Sequence, residues 1–298
     1  MNANSDLRED VIRNSFEKEV AAYWDNKQDD KINLLPGGID DLYHHHFGVG
    51  AFDPETFNKP AEAQELRIIE EMHRLENQQV GVILEALGDV SSDDRVLIAG
   101  SGRGGTSFMI EERFGCRVDG VNISQYQLEF SRRLAVKRNC AERVNFHYQN
   151  MCSTAFSDQS FQYVVTNETT PYVDLFEAFG EFARLLSPGG RYVAITWCYN
   201  DIVSPARDEI EEIEEIDRFY KCHIHPRSTY FRALAANGLI PSKVIDLTID
   251  AIPYWELRRH SELRNGIEDP FLSVYKRRDM NFLLIAADRQ SSEVPIQV

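Results

Sequence analysis

The chain has 298 residues, 43% of them hydrophobic, enough to bury a sizeable core in one or two domains. Its formal net charge of −16 repels phosphate polymers and makes nucleic acid a poor partner. No apolar run approaches the ~18 residues that suggest a membrane span, and the opening stretch MNANSDLREDVIRNSFEKEV is too polar for a secretory signal. Five cysteines without a C-x-x-C pair argue against a disulfide framework and fit a reducing cytoplasm.

Residues 8–30 read as helix, with Val11, Ile12, Phe16, Val20 and Tyr23 at helical spacing. Residues 31–60 hold several Gly and Pro and read as a loop that includes the run Tyr43-His44-His45-His46-Phe47-Gly48. Residues 62–88 read as a long helix. Alternation then begins: strand 95–99, a glycine loop, helix 106–114, strand 117–123, helix 125–138, strand 144–148, strand 161–166, helix 174–186, a turn at 187–190 and strand 191–197. That rhythm predicts a parallel sheet with helices on both faces. Residues 201–228 interrupt it with an acidic, helical run that later turns basic. An insertion at this point sits above the carboxyl ends of the strands, where open α/β sheets bind ligands, so it is expected to form part of a lid. Strands at 242–247 and 282–287 close the sheet, and no sixth long helix–strand unit is expected.

The glycine loop Ala99-Gly100-Ser101-Gly102-Arg103-Gly104-Gly105 follows a strand and opens a helix. Glycines there let the backbone turn sharply and let a ligand approach closely. NAD, FAD and S-adenosylmethionine (SAM) proteins all use such a loop, but two features favour SAM. The dinucleotide spacing G-x-G-x-x-G is absent, and the second strand ends on neutral Asn122, where an NAD site prefers a carboxylate for the ribose. Asn122 still donates and accepts hydrogen bonds, and Gln127 lies one turn further on. Gly100, Ser101, Gly102, Asn122, Gln127, Asn150 and Met151 are the candidate cofactor residues.

The loop, together with Gly120-Val121-Asn122-Ile123-Ser124 and Gln127, resembles small-molecule C-methyltransferases that alkylate carbon–carbon double bonds. The resemblance narrows with Leu42–Gly50, Asn167-Glu168-Thr169, Cys198-Tyr199-Asn200-Asp201, His225-Pro226-Arg227-Ser228 and Pro253-Tyr254-Trp255. The combination, spread over residues 20 to 290, is similar to geranyl diphosphate 2-C-methyltransferases and related prenyl diphosphate enzymes. The resemblance implies a Rossmann-like, seven-stranded, mostly parallel sheet over residues 89–298. An N-terminal helical segment and active-site loop (1–88) precede it, and the lid is 201–228. It also implies SAM, Mg2+, a homo-oligomer, and methylation of geranyl diphosphate at C2. Methylation at another carbon such as C6, isopentenyl or farnesyl diphosphate as substrate, and a sterol- or lipid-type reaction remain alternatives.

Such a reaction needs a dry pocket, an environment that favours a carbocation, and one base. Glu168, just past the fourth strand, is the candidate base. Phe47, Tyr172, Trp197, Phe219 and Tyr220 are candidate pocket walls, since desolvated ring faces attract cations. Two of these depart from the family pattern: a small residue is expected at 197 and a tyrosine at 47. Arg258, Arg259, Arg227 and the run Lys276-Arg277-Arg278 are candidate diphosphate cations. Asn33, Tyr43, Asn200 and Tyr275 are candidate hydrogen-bond donors. Adjacent His44-His45-His46 cannot converge on one metal, and His223-x-His225 lacks a third ligand. Magnesium is therefore expected to be held by the substrate's diphosphate and by water, not by a protein cage.

Overall fold

The apolar runs from residue 95 onward fold into seven strands in the computed structural model, which describes residues 11–58 and 60–290. They are β1 (Arg95–Ala99), β2 (Arg117–Asn122), β3 (Val144–Tyr148), β4 (Phe161–Asn167), β5 (Leu186–Tyr199), β6 (Leu239–Asp246) and β7 (Met280–Arg289). They lie side by side in the order β3-β2-β1-β4-β5-β7-β6. β7 runs antiparallel to β5 and β6, and the other pairings are parallel. This is the Rossmann-like sheet expected of a class I methyltransferase. The turn at Ser187-Pro188-Gly189-Gly190 sits inside β5 as an irregularity. The register steps from Phe161↔Leu186 to Tyr163↔Arg191, and Gly189 adopts φ 76° to make the step.

Ten helices surround the sheet among the described residues. α1 (Ser15–Asp25) is shorter than the helix expected over 8–30, because the Asn14 side chain accepts the Glu17 amide at 2.9 Å and fixes its start. The expected residues 8–10 lie outside the described part. α2 (Lys31–Gly37) and a 3₁₀ turn (Pro54–Asn58) replace part of the loop expected over 31–60, Pro36 and Gly37 having masked the helical run. α3 (Ala61–Leu87) is the long helix. α4 (Gly105–Phe114), α5 (Gln125–Lys137) and α6 (Leu175–Leu185) connect the parallel strands. Ser124 caps α5, and Asp174 caps α6 by accepting the amides of Phe176 and Glu177.

α7 (Glu211–Tyr220) is the helix of the proposed lid, with Ile213, Ile216 and Tyr220 buried and its carboxylates turned mostly outward. α8 (Arg227–Ala236) leads into β6. Two helices that the sequence pattern did not announce follow β6. α9 (Thr248–Arg259) and α10 (Glu268–Arg277) both lie between β6 and β7, and each contains a proline. Pro270 falls in the first turn of α10, where a missing N–H is harmless.

The core does not respect a boundary at residue 88. Ile68, Met72, Leu75 and Ile83 of α3 share one buried cluster with Val96 and Ile98 of β1 and with Ile195 and Trp197 of β5. Phe47, Trp255 and Phe271 belong to the same cluster, and the last two stack at 4.0 Å with their planes 10° apart. The N-terminal segment is thus bound to the sheet over the carboxyl ends of β1, β4 and β5.

Candidate active site

The carboxyl edge of the sheet opens into a cavity of about 1050 Å³. Its floor is the glycine loop, and one wall is the strap of residues 43–47. Val20 and Trp24 of α1 form part of its roof. A second cavity of about 290 Å³ adjoins it, lined by Tyr23, Lys27, Asp30, Asn33, Phe219 and Arg258 among others. Trp24, His45, Phe47 and Tyr220 line both.

All seven candidate cofactor residues line the larger cavity. Gly102 has φ 55°, and a Cβ built there would meet no atom within 4 Å, so its backbone faces open space. Gly105 has the opposite reason to be glycine: a Cβ would lie 2.4 Å from the His44 ring, because the strap presses onto the start of α4. Asn122 donates to Gln127 Oε1 at 2.7 Å and accepts the Ser124 amide at 3.0 Å. Asp25, at the end of α1, accepts from the Ser124 hydroxyl at 2.7 Å and the Tyr126 amide at 3.1 Å, which docks α1 beside this pair. The Ser101 hydroxyl is buried without a partner. An open glycine turn, an unclaimed hydroxyl and an amide pair at the end of β2 fit the methionine and ribose portions of SAM.

Glu168 ends the β4 segment in a left-handed conformation, φ 57°. That backbone is costly for a glutamate, on the order of 1–3 kcal/mol, and persists only where surroundings enforce it. Here its amide donates to the Ile195 carbonyl at 2.8 Å. Asn167 and Gln79 of α3 exchange amide hydrogen bonds at 2.7 and 3.0 Å. The Glu168 carboxylate accepts the Phe47 amide at 2.9 Å and Gln79 Nε2 at 3.2 Å. No cation pairs with it among the described residues. Burial pushes its pKa well above the usual carboxylate range, and nearby Glu76 pushes the same way, against those two hydrogen bonds.

Phe47, whose amide reaches the carboxylate, stands in a cluster of rings. Phe47 lies 4.3 Å from Trp255, 5.1 Å from Phe271, 5.8 Å from Trp197 and 6.1 Å from Tyr220, centroid to centroid. Trp197 is 1% exposed, lines the larger cavity, and leaves its indole N–H unpartnered. Tyr172 lines the same cavity, and Phe219 the smaller one.

The strap is itself held by histidines. His46 Nδ1 donates to the Phe47 carbonyl at 2.9 Å, and its Nε2 lies 2.9 Å from His44 Nδ1. His44 reaches Asn77 at 2.8 Å. Burial drives His44 and His45 well below the ordinary histidine range and His46 down to about 4, so the strap is neutral. His73, by contrast, sits 2.8 Å from Asp40; burial lowers its pKa, but the Asp40 and Glu76 carboxylates outweigh it and raise it to about 9.

The candidate diphosphate ligands divide. Arg258 and Asn33 line the smaller cavity, and Tyr43 the larger. Asn200 donates to the Arg278 carbonyl, Tyr275 is fully buried, and neither lines a cavity. Arg259, Lys276, Arg277 and Arg278 pair with Asp269, Glu256, Glu212 and Asp246 and stand away from both cavities. His223 is largely exposed, while His225 lies 2.9 Å from the Val173 carbonyl. No group of three or more His, Cys, Asp or Glu able to hold a metal occurs among the described residues. The smaller cavity holds one carboxylate, Asp30, among cations and amide donors, which fits a magnesium ion brought in on diphosphate oxygens.

Several lining residues escaped the sequence reading. Trp24 lies one turn beyond Val20 on the same helix face, a detectable signal. Gln79 and Glu76 are polar positions on the apolar face of α3, between Met72 and Ile83, and were detectable as breaks in its pattern. Lys27, Asp30 and the buried Tyr23 hydroxyl carried no signal, since a polar helix end looks like solvent-facing chain.

A glycine cradle at the carboxyl edge of this sheet defines a SAM-dependent methyltransferase, and residues 96–190 match the family model of a methyltransferase domain. The geranyl diphosphate 2-C-methyltransferase of Saccharopolyspora erythraea is 45% identical over 275 residues, covering 92% of this chain and 95% of the relative. The chain belongs to the geranyl diphosphate C-methyltransferase family. The Streptomyces coelicolor enzyme, solved with Mg2+, geranyl-S-thiolodiphosphate and S-adenosyl-L-homocysteine, superimposes with a TM-score of 0.89 at 39% identity, covering 94% of this chain and 99% of that one. A geranyl diphosphate methyltransferase solved with GPP and sinefungin gives 0.88 at 40%, with 92% and 99% covered.

Replacing Gly102 with valine should abolish SAM binding in calorimetry while the circular dichroism spectrum stays native. The side chain would project into the open turn, and the β-branched left-handed residue should cost roughly 1–2 kcal/mol of stability. Unchanged SAM affinity would remove the cradle from the cofactor site.

Proposed function

We propose that this enzyme methylates the alkene of geranyl diphosphate at C2, giving 2-methylgeranyl diphosphate, with Glu168 as the base. The observation that carries the reading is the placement of Glu168. It is a buried carboxylate without a counter-cation among the described residues, and it lines one cavity with the glycine cradle and the rings of Phe47, Tyr172, Trp197 and Tyr220, two of which also line the adjoining cationic cavity. Bound SAM supplies an electrophilic methyl group. The alkene π pair forms the new carbon–carbon bond as the sulfur–methyl bond breaks, and positive charge appears on the neighbouring substrate carbon. The rings of Phe47, Trp197, Tyr172 and Tyr220 exclude water and turn their faces to that charge. A Glu168 oxygen then takes the proton, and the C–H pair restores the double bond. Lys27, Arg258, Asn33 and the Tyr23 hydroxyl are the groups that would hold the diphosphate, with Mg2+ bridging its oxygens. The five cysteines are buried free thiols, which suits a reducing cytoplasm.

Incubation with SAM and a panel of prenyl diphosphates tests the assignment: geranyl diphosphate should gain one methylene in mass, with NMR locating it at C2. A second reading, methylation at another carbon, is favoured by Trp197, whose indole occupies volume at the inner wall of the cavity.

Glu168→Gln should lower kcat by roughly 10²-fold or more, the range of general-base and electrostatic groups, with substrate and SAM affinities within a few-fold of wild type. The base must be ionised, so wild-type kcat should fall as pH drops through the raised Glu168 pKa. Near-wild-type turnover of the variant would give the proton to the diphosphate. EDTA should stop turnover and magnesium restore it, with the protein folded throughout, since the metal rides on the substrate. Full activity in excess chelator would count against a diphosphate. Trp197→Gly should shift preference toward a longer prenyl chain or relax which carbon reacts, read from the product spectrum; an identical spectrum would make Trp197 ordinary core.

A further inference from the structure

Two arginines are almost wholly buried beside the cavities, and they differ in one respect. Arg258, 2% exposed, has a counterion within the chain, Glu268 at 3.0 Å. Arg103, 1% exposed, has no carboxylate within ion-pair distance among the described residues. Its Nη2 donates to the Lys27 carbonyl at 2.7 Å, while Nε and Nη1 are buried with no partner. The guanidinium carbon sits 5.9 Å from the Tyr126 ring centroid and 5.5 Å from that of Phe130. Burial lowers its pKa, and Tyr126, through its charge and a side-chain hydrogen bond, and Asp30, through space, oppose that without supplying a carboxylate partner.

An arginine stays protonated in a protein, so this charge cannot be shed by deprotonation. A buried charge left without a partner is strongly unfavourable. The Lys27 carbonyl fixes one edge of the guanidinium beside the two rings, and Nε and Nη1 remain without a hydrogen-bond acceptor. That fork matches a planar, two-oxygen anion.

The location decides which anion. Arg103 directly follows Gly102 and lines the larger cavity, not the smaller one where Lys27, Arg258 and Asn33 converge. The open turn at Gly102 lines the same cavity. At the amino-acid end of SAM the one anionic group is the carboxylate. We infer that Arg103 clasps the methionine carboxylate of SAM and thereby ties the cofactor, through the Lys27 carbonyl, to the wall of the substrate cavity. This rests on the SAM reading of the glycine cradle and adds the residue that recognises the cofactor's charged end.

Calorimetric titration with SAM and with decarboxylated SAM, without prenyl substrate, tests it. Wild type should prefer SAM. Arg103→Gln should weaken SAM roughly 10- to 100-fold, the range of hydrogen bonds to charged groups, and leave decarboxylated SAM within two-fold, which also reports an intact site. Arg103→Lys, which keeps the charge but not the fork, should recover part of the loss and serves if the glutamine variant does not fold. Equal losses for both ligands, or unchanged SAM affinity, would overturn the inference. So would a selective loss of inorganic pyrophosphate binding, which would give Arg103 to the diphosphate. Wild type binding neither SAM nor its decarboxylated form would instead overturn the SAM reading itself.

Discussion

The amide of Phe47 donates to the Glu168 carboxylate at 2.9 Å, and that bond joins the N-terminal strap to the end of β4. Both partners are under constraint. Glu168 is held in a left-handed backbone, and the Phe47 carbonyl is gripped by His46. Remove the strap and the carboxylate loses a donor, gains water and returns toward an ordinary pKa. The perturbed carboxylate is therefore made jointly by the sheet and by residues outside the strand–helix repeat. This explains why α3 and the strap share a core with β1 and β5 and do not form a separate domain. A 1 Å error in the strap would be an equal error in the carboxylate, and misplacements of that size are costly wherever a group takes part in catalysis.

The histidines serve this constraint through neutrality. A protonated His46 would place a cation close to Glu168 and lower its pKa. Burial holds His44, His45 and His46 neutral, so they orient the strap by hydrogen bonds and add no charge. The charged histidine, His73, is spent on Asp40 on the far side of Asn77. Neutral donors give rigidity without discharging the carboxylate, which in the proposed reading meets a carbocation only as the reaction proceeds.

The sheet was legible because its elements obey local rules. β1 to β4 emerge within a residue of where alternation and glycine punctuation put them. Glu168 and Gly102 were legible because their positions at strand ends carry meaning. What stayed hidden depends on long-range pairing. α9 and α10 carry prolines and mixed charge, and their apolar faces make sense only against β7 and each other. Asn200, Tyr275 and the run Lys276-Arg277-Arg278 looked equivalent to Arg258 as polar groups in a linear list. Only the folded chain shows which arginine turns inward and which finds a carboxylate at the surface. Arg103 was quoted within the glycine motif yet carried no role, because an unpaired guanidinium is a property of packing.

Charge is also arranged against the molecule's average. A surface of net charge −16 would repel an anionic substrate, yet Lys27, Arg103 and Arg258 stand close enough to perturb one another. The Lys27 pKa is lowered first by burial, with both arginines adding repulsion against the attraction of Asp30. Arg258 is compensated by Glu268, but Lys27 in the smaller cavity and Arg103 in the larger have no carboxylate within ion-pair distance among the described residues, a stored cost that anions relieve. Glu168 lines the larger cavity and not the smaller one that holds Lys27 and Arg258, and Phe47 and Tyr220 line both. In the proposed reading, the diphosphate neutralises the smaller cavity while the alkene lies in the larger. The substrate's own charge then contributes to binding without quenching the carboxylate, and ligand binding should stabilise the fold by linkage. That separation is the reason a strongly acidic protein can hold a polyanion and still stabilise a cation a short distance away.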